Sequence, residues 1–160
     1  MTTPAQNGEN ERKANPHFER FIKAIPKGTD SVAGILRVHL LAEYYLDQII
    51  ITRLKRGDII TDAKFQFWEK IIIIEALDIV SKEILDSLKK LNVVRNSCSH
   101  VLEYCITESD IDKIGNPFGK KYQDYKTKLG PDTSKLLQQT LAILMSRLSA
   151  KVETFMRQSQ

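Results

Sequence analysis

Near the middle of the chain, Arg95-Asn96-Ser97-Cys98-Ser99-His100 places a guanidinium, an amide and an imidazole within six residues. Arginine offers a planar, permanently charged fork that fits two phosphate oxygens as negative charge builds on them. An imidazole can take the proton of a ribose 2′-OH or protonate a leaving 5′-oxygen. The inventory suits RNA cleavage by transesterification, with Arg95 stabilising the phosphorane and His100 as acid/base. Such chemistry needs no metal, because the ribose supplies its own nucleophile. Asn96 precedes His100 by four residues and would share its helix face, where the amide could orient the ring. Arg95 and His100 are five apart and project about 140° from one another on a regular helix. One copy is a poor site, whereas two copies about a two-fold axis would combine paired imidazoles and guanidiniums in one cleft.

The plainer reading is helix capping, in which cationic side chains near a C-terminus satisfy carbonyls and the macrodipole. Arg95 could also pair with an acid on a neighbouring helix. Spacing alone proves little, since Arg12-Lys13-Ala14-Asn15-Pro16-His17 repeats the Arg-to-His interval in a segment where Pro16 denies it a helix. What separates the two is context: only the Arg95 to His100 segment ends an amphipathic helix.

Three further groups carry chemistry. His39, Glu43 and Asp47 recur every four residues along an otherwise apolar helix. The three could hold a metal, or the two acids could line a cleft beside Arg95, with Glu43 as a supporting partner for the guanidinium. Equally, they could form a polar strip or a salt-bridged seam. No second acidic ladder accompanies them, so no metal or other cofactor is expected. Lys120, Lys121 and Lys126, interleaved with Tyr122 and Tyr125, could track a phosphate backbone or simply solvate a helix whose rings fold inward. Cys98 and Cys105 read as small buried or half-buried thiols and not as a nucleophile, because Cys98 and His100 would project on different sides of a helix.

The elements that must position these residues are helices. Seven Gly and five Pro in 160 residues leave few turns, and 42% hydrophobic with 28% charged residues is ordinary for a globular chain. Residues 1–15 read as a flexible leader, and 16–160 as one helical domain. A short helix carrying Phe18, Phe21, Ile22 and Ile25 would end at Pro26-Lys27-Gly28. The Asp30-Ser31 cap then opens a central helix reaching about Leu54, apolar around much of its girth. Arg56-Gly57-Asp58 reads as a turn. A third helix is expected from about Asp62 to Leu77, presenting Phe65, Trp68, Ile71, Ile72 and Leu77. A fourth starts at Ser81, turns Ile84, Leu85, Leu88, Leu91 and Val94 inward, and delivers Arg95 to His100 at its end. Thr107 and Asp110 have capping-box spacing and should start a short helix that Asn116-Pro117-Phe118-Gly119 breaks. The last helix begins near Asp132, with Leu137, Leu141, Leu144, Leu148, Val152 and Phe155 as a seam toward the bundle or a partner.

A net charge of +4 permits an encounter with nucleic acid without requiring one. No cationic-apolar signal segment opens the chain and no apolar run reaches membrane length, so a cytoplasmic protein with reduced thiols and no membrane partner is expected.

The stretch Leu88-Lys89-Lys90-Leu91-Asn92-Val93-Val94-Arg95-Asn96, followed by His100, resembles the signature of the HEPN superfamily: Arg, a polar residue, then His after four to six intervening positions. Leu40-Leu41-Ala42-Glu43-Tyr44-Tyr45-Leu46 and Phe67-Trp68-Glu69-Lys70-Ile71 extend the likeness toward the mannitol-repressor-like branch, over roughly residues 18–102. Cys98-Ser99 departs from the aromatic or aliphatic residue and Ala more usual there. The resemblance implies an all-α bundle of four or five helices, a homodimer, and a metal-independent endoribonuclease with Arg95, Asn96 and His100 in the site. It equally fits a non-catalytic module that binds RNA or a regulatory protein. Such domains occur in toxin–antitoxin, phage-defence and RNA-processing systems, where an antitoxin would be the partner.

Overall fold

A computed structural model describes Glu19, Arg20, Lys23 and residues 30–159. The expected leader, the apolar residues of the expected first helix and the Arg12 to His17 repeat all lie outside the described residues. Among the described residues the chain is all-helical, with seven α-helices and one 3-10 turn. These are α1 (Ser31–Arg53), α2 (Gly57–Asp62), α3 (Phe67–Ala76), α4 (Lys82–His100), α5 (Glu108–Gly115), the 3-10 turn Asn116–Phe118, α6 (Lys120–Leu129) and α7 (Thr133–Gln158). Of the short helices, α5 is the one expected from Thr107, whereas α2 occupies a stretch expected as a turn.

The Asp30 carboxylate accepts from the Ala33 backbone N–H at 3.0 Å and starts α1, a cap the local sequence announces. Ile35, Val38, Ala42, Tyr45, Leu46, Ile49 and Ile50 are fully buried, and α1 packs against α2, α3, α4 and α7. It is the central helix its wide apolar girth predicts, although Leu40 points outward. The α7 seam is buried from Leu137 to Phe155 against the bundle. One continuous core joins Ile35 to Phe155. No helix among the described residues is long and apolar enough to cross a membrane.

Two expectations fail locally. Arg56-Gly57-Asp58 is not simply a turn, because Gly57 already begins α2. A Cβ on Gly57 would lie 2.3 Å from the Ile50 carbonyl oxygen and 2.8 Å from Ile51 Cα, both backbone atoms that cannot swing aside. Gly57→Ala is therefore expected to destabilise by about 1–3 kcal/mol, the range for overpacking, read as a lower denaturant midpoint at unchanged slope.

The third helix starts five residues later than its pattern suggests. Lys64 has φ 54°, and Gln66 and Glu69 form the capping box, with the Glu69 carboxylate accepting from the Gln66 N–H at 2.7 Å. From that start, Phe67, Lys70, Ile71 and Ile74 face inward, while Phe65, Trp68 and Ile72 are exposed. The inward face was expected to carry Phe65, Trp68 and Ile72. An unbroken run of four isoleucines has no phase of its own, and the observed one turns Ile71 and Ile74 into the core together with Phe67 while Lys70 reaches the acids of α1.

Candidate functional site

Helix α4 buries Ile84, Leu85, Leu88, Leu91 and Val94 and so aims the opposing side chains of its last turns. Asn92, Arg95 and Asn96, spaced three and four apart, meet α1 and α3 across a cleft of about 260 Å³, which His39, Glu43, Gln66, Phe67 and Trp68 complete. His39 is buried, with Nε2 3.1 Å from Asn92 Oδ1 and its ring 4.0 Å from that of Phe67. Burial holds its pKa below the ordinary value and the nearby Arg95 adds to the effect, against opposing contributions from Asn92 and Glu43. The imidazole is therefore neutral at pH 7, and Nε2–H donates to the Asn92 carbonyl.

Arg95 is half-buried and donates to Asn96 Oδ1 at 3.2 Å. Among the described residues it makes no ion pair. The nearby carboxylates are engaged elsewhere: the Lys70 ammonium, buried on α3, lies 3.0 Å from Glu43 Oε1 and 2.9 Å from Asp47 Oδ1. The ladder on α1 is a salt-bridged seam with His39 at its end. Glu43 borders the Arg95 cleft but gives its charge to Lys70.

His100 stands apart. It is the last residue of α4, exposed, in a separate hollow of about 510 Å³ shared with Val32, Val101, Leu102 and Tyr104. Since His39 faces the first cleft and Val32 the second, the two lie on the order of 10 Å apart along α1. The amide expected to orient His100 accepts from Arg95 instead, because Asn96 lines the cleft toward His39 while His100 lines the separate hollow at Val32.

The segment leaving His100 is anchored. Asp110 is buried and its carboxylate accepts from Tyr104 OH at 2.9 Å, from Thr107 N–H at 3.0 Å and Oγ1 at 2.8 Å, and from Lys113 at 3.0 Å. The expected capping box is present, completed by Asp110 N–H donating to Thr107 Oγ1. Burial alone would raise the Asp110 pKa, but the Thr107, Lys113 and Tyr104 bonds outweigh it and lower it to about 2. A depressed folded pKa contributes stability that is present above the unfolded value and lost as pH falls through the folded one. An acid-side loss of about 2 kcal/mol is expected between roughly pH 4 and pH 2, and Asp110→Asn should flatten that limb in denaturation at stepped pH. Cys98 and Cys105 are free; Cys98 is half-buried as expected whereas Cys105 is exposed, and burial, with Asp110 nearby, pushes the Cys98 thiol up and away from a reactive thiolate.

The lysines of α6 do not join the cleft. Lys120 and Lys121 border a shallow exposed hollow with Asp124, Tyr125 and Lys128. Lys126 pairs with Asp112 at 2.7 Å and Glu108 at 2.8 Å. Tyr122 is fully buried and donates to Asp112 at 2.6 Å, and Tyr125 packs half-buried on the core. Sequence reasoning did not place His39, Asn92, Gln66 or Trp68 around Arg95. The usable signals were a histidine on an apolar helix and an asparagine three residues before Arg95. No family model, no curated protein and no solved structure matches the chain.

Proposed function

We propose that the chain is a HEPN-like, metal-independent endoribonuclease whose site is completed by a second copy. The observation that carries this reading is Arg95: a half-buried arginine lining a polar cleft, with no carboxylate partner among the described residues. A permanent charge held partly out of water without a counter-ion is arranged for an external anion. His39, Asn92, Asn96 and Gln66 surround it with neutral hydrogen-bonding groups suited to a phosphodiester and its ribose. His100 is exposed beside Val101 and Leu102, the latter 92% exposed, so the end of α4 presents an apolar patch through which two copies would pair. Pairing there would bring each His100 toward the partner's cleft. The biological setting that suits this chemistry is a toxin or defence component held in check by a neutralising protein.

A second reading follows from the separation of His100 and Arg95 within one copy. Without pairing, the cleft would bind RNA or an acidic protein segment and cleave nothing. The deciding experiment is cleavage of a labelled structured RNA in EDTA, with the oligomeric state measured alongside. Products ending in 2′,3′-cyclic phosphate from a dimeric protein support the nuclease. A strictly monomeric protein at micromolar concentration, or an intact dimer without cleavage, overturns it in favour of the interaction module.

A further inference from the structure

The sole tryptophan of the chain is exposed, 46% of its surface facing out from α3. Trp68 borders two depressions at once: the Arg95 cleft, and a larger one of about 690 Å³ that includes Lys89, Lys90, Val93, Lys113 and Pro117. The indole is thus the common wall of two adjoining depressions, one between α1, α3 and α4 and the other reaching Lys113 and Pro117, which together we treat as one groove. Lys89 is fixed by Glu75 at 2.7 Å, and its ammonium sits 5.9 Å from the indole centroid, which steadies the ring. Lys90 is exposed and, among the described residues, makes no ion pair. Lys113 reaches Asp110 yet keeps 48% of its side chain exposed. Lys89 and Lys113 are matched by Glu75 and Asp110, which leaves Lys90 and Arg95 as the groove's cations without an acidic partner among the described residues. Lys70 further neutralises Glu43 from beneath.

An exposed indole beside the unpaired Lys90 ammonium, with the Arg95 guanidinium on its other side, fits a polymer with flat bases and a charged backbone. A base can reach Trp68 only if it is unstacked, which a duplex prevents. We propose that this groove binds single-stranded RNA, with one base stacked on Trp68 and the neighbouring phosphates running past Lys90 and Lys113 toward Arg95. The choice of RNA over DNA rests on the endoribonuclease reading, whereas the single-stranded track rests on the groove itself.

The test uses the full chain and a 2′-O-methyl oligonucleotide, which lacks the nucleophile for transesterification and reports binding without cleavage. Titration is expected to quench Trp68 emission saturably, with an affinity that weakens as salt rises. By anisotropy of the labelled oligonucleotide, Trp68→Ala should weaken binding roughly 5- to 150-fold, the range for losing one stacked base. Lys90→Glu should weaken it further at low salt, and the exposure of both residues leaves the fold intact by circular dichroism. The proposal is overturned if binding leaves Trp68 emission unchanged, if Trp68→Ala binds like the wild type, or if a duplex competes equally. It is also overturned if Trp68 emission shifts on dilution without oligonucleotide, since a second copy would then cover this face. Binding without any cleavage of natural RNA would remove the nuclease reading and leave the groove standing.

Discussion

His100→Ala is expected to reduce RNA cleavage in EDTA by roughly 10²- to 10⁴-fold, the usual contribution of a positioned acid or base, with the fold intact. The side chain is exposed at the end of α4, and the helix is closed by the Val101 N–H bonding to Ser97 O, a backbone contact that alanine preserves. The capping alternative makes the opposite forecast. If His100 serves only the helix end, its loss costs at most about 1 kcal/mol of stability and cleavage is unchanged. Midpoint and rate measured on the same preparation therefore separate the two. Arg95→Ala should abolish cleavage and also weaken binding, because the phosphate loses its fork, and Arg95→Lys should recover the charge but not the bidentate geometry. Mixing Arg95→Ala and His100→Ala chains adds a test of shared sites. Partial recovery in the mixture requires that one copy lend its imidazole to the other's cleft. Equal cleavage by wild type and His100→Ala would assign the activity to a different site or to a contaminant.

What the sequence made legible is what local chemistry determines. Asp30, Thr107 with Asp110, and Asp132 announce helix starts because a cap needs only the next three residues, and each makes the expected bond. The stripes of α4 and α7 were equally clear, since their apolar residues recur at helical spacing without interruption. What stayed hidden depends on pairs far apart in the chain. His39 meets Asn92 across 53 positions, so neither residue alone indicates a cleft. Gly57 looks like an ordinary turn glycine until the Ile50 carbonyl is found against it. The seven-residue interval between Val32 and His39 carries no hint that it spans the distance between the His100 hollow and the Arg95 cleft. Nor does Trp68 betray its outward position, because an aromatic residue before an isoleucine run reads most simply as core.

Lys70→Met is expected to cost about 3 kcal/mol, the low end of the range for breaking a buried ion pair by removing one partner. Lys70 has 6% of its side chain exposed, whereas Glu43 and Asp47 keep 32% and 26%, so water screens part of what the loss leaves behind. Burial opposes the ammonium charge, yet the hydrogen bonds to Asp47 and Glu43 outweigh that penalty and raise the Lys70 pKa above its ordinary value. A raised folded pKa means that the stabilisation is whole below about pH 10 and fades as pH climbs through the folded value. Loss at alkaline pH should accordingly be smaller in Lys70→Met than in the wild type. Methionine fills the space but leaves two carboxylates facing one another. The triple variant Lys70→Met, Glu43→Gln, Asp47→Asn should recover most of the midpoint, because replacing a whole buried charge cluster is far cheaper than orphaning part of it. The seam also governs the cleft. Glu43 borders it beside Arg95, and in Lys70→Met the released carboxylate would compete with phosphate for the guanidinium. RNA binding should then weaken more than the stability change explains, and Glu43→Gln in the same background should restore it. An unchanged midpoint in Lys70→Met would mean that the seam is not closed in solution, and the account of how Arg95 is kept unpaired would fall with it.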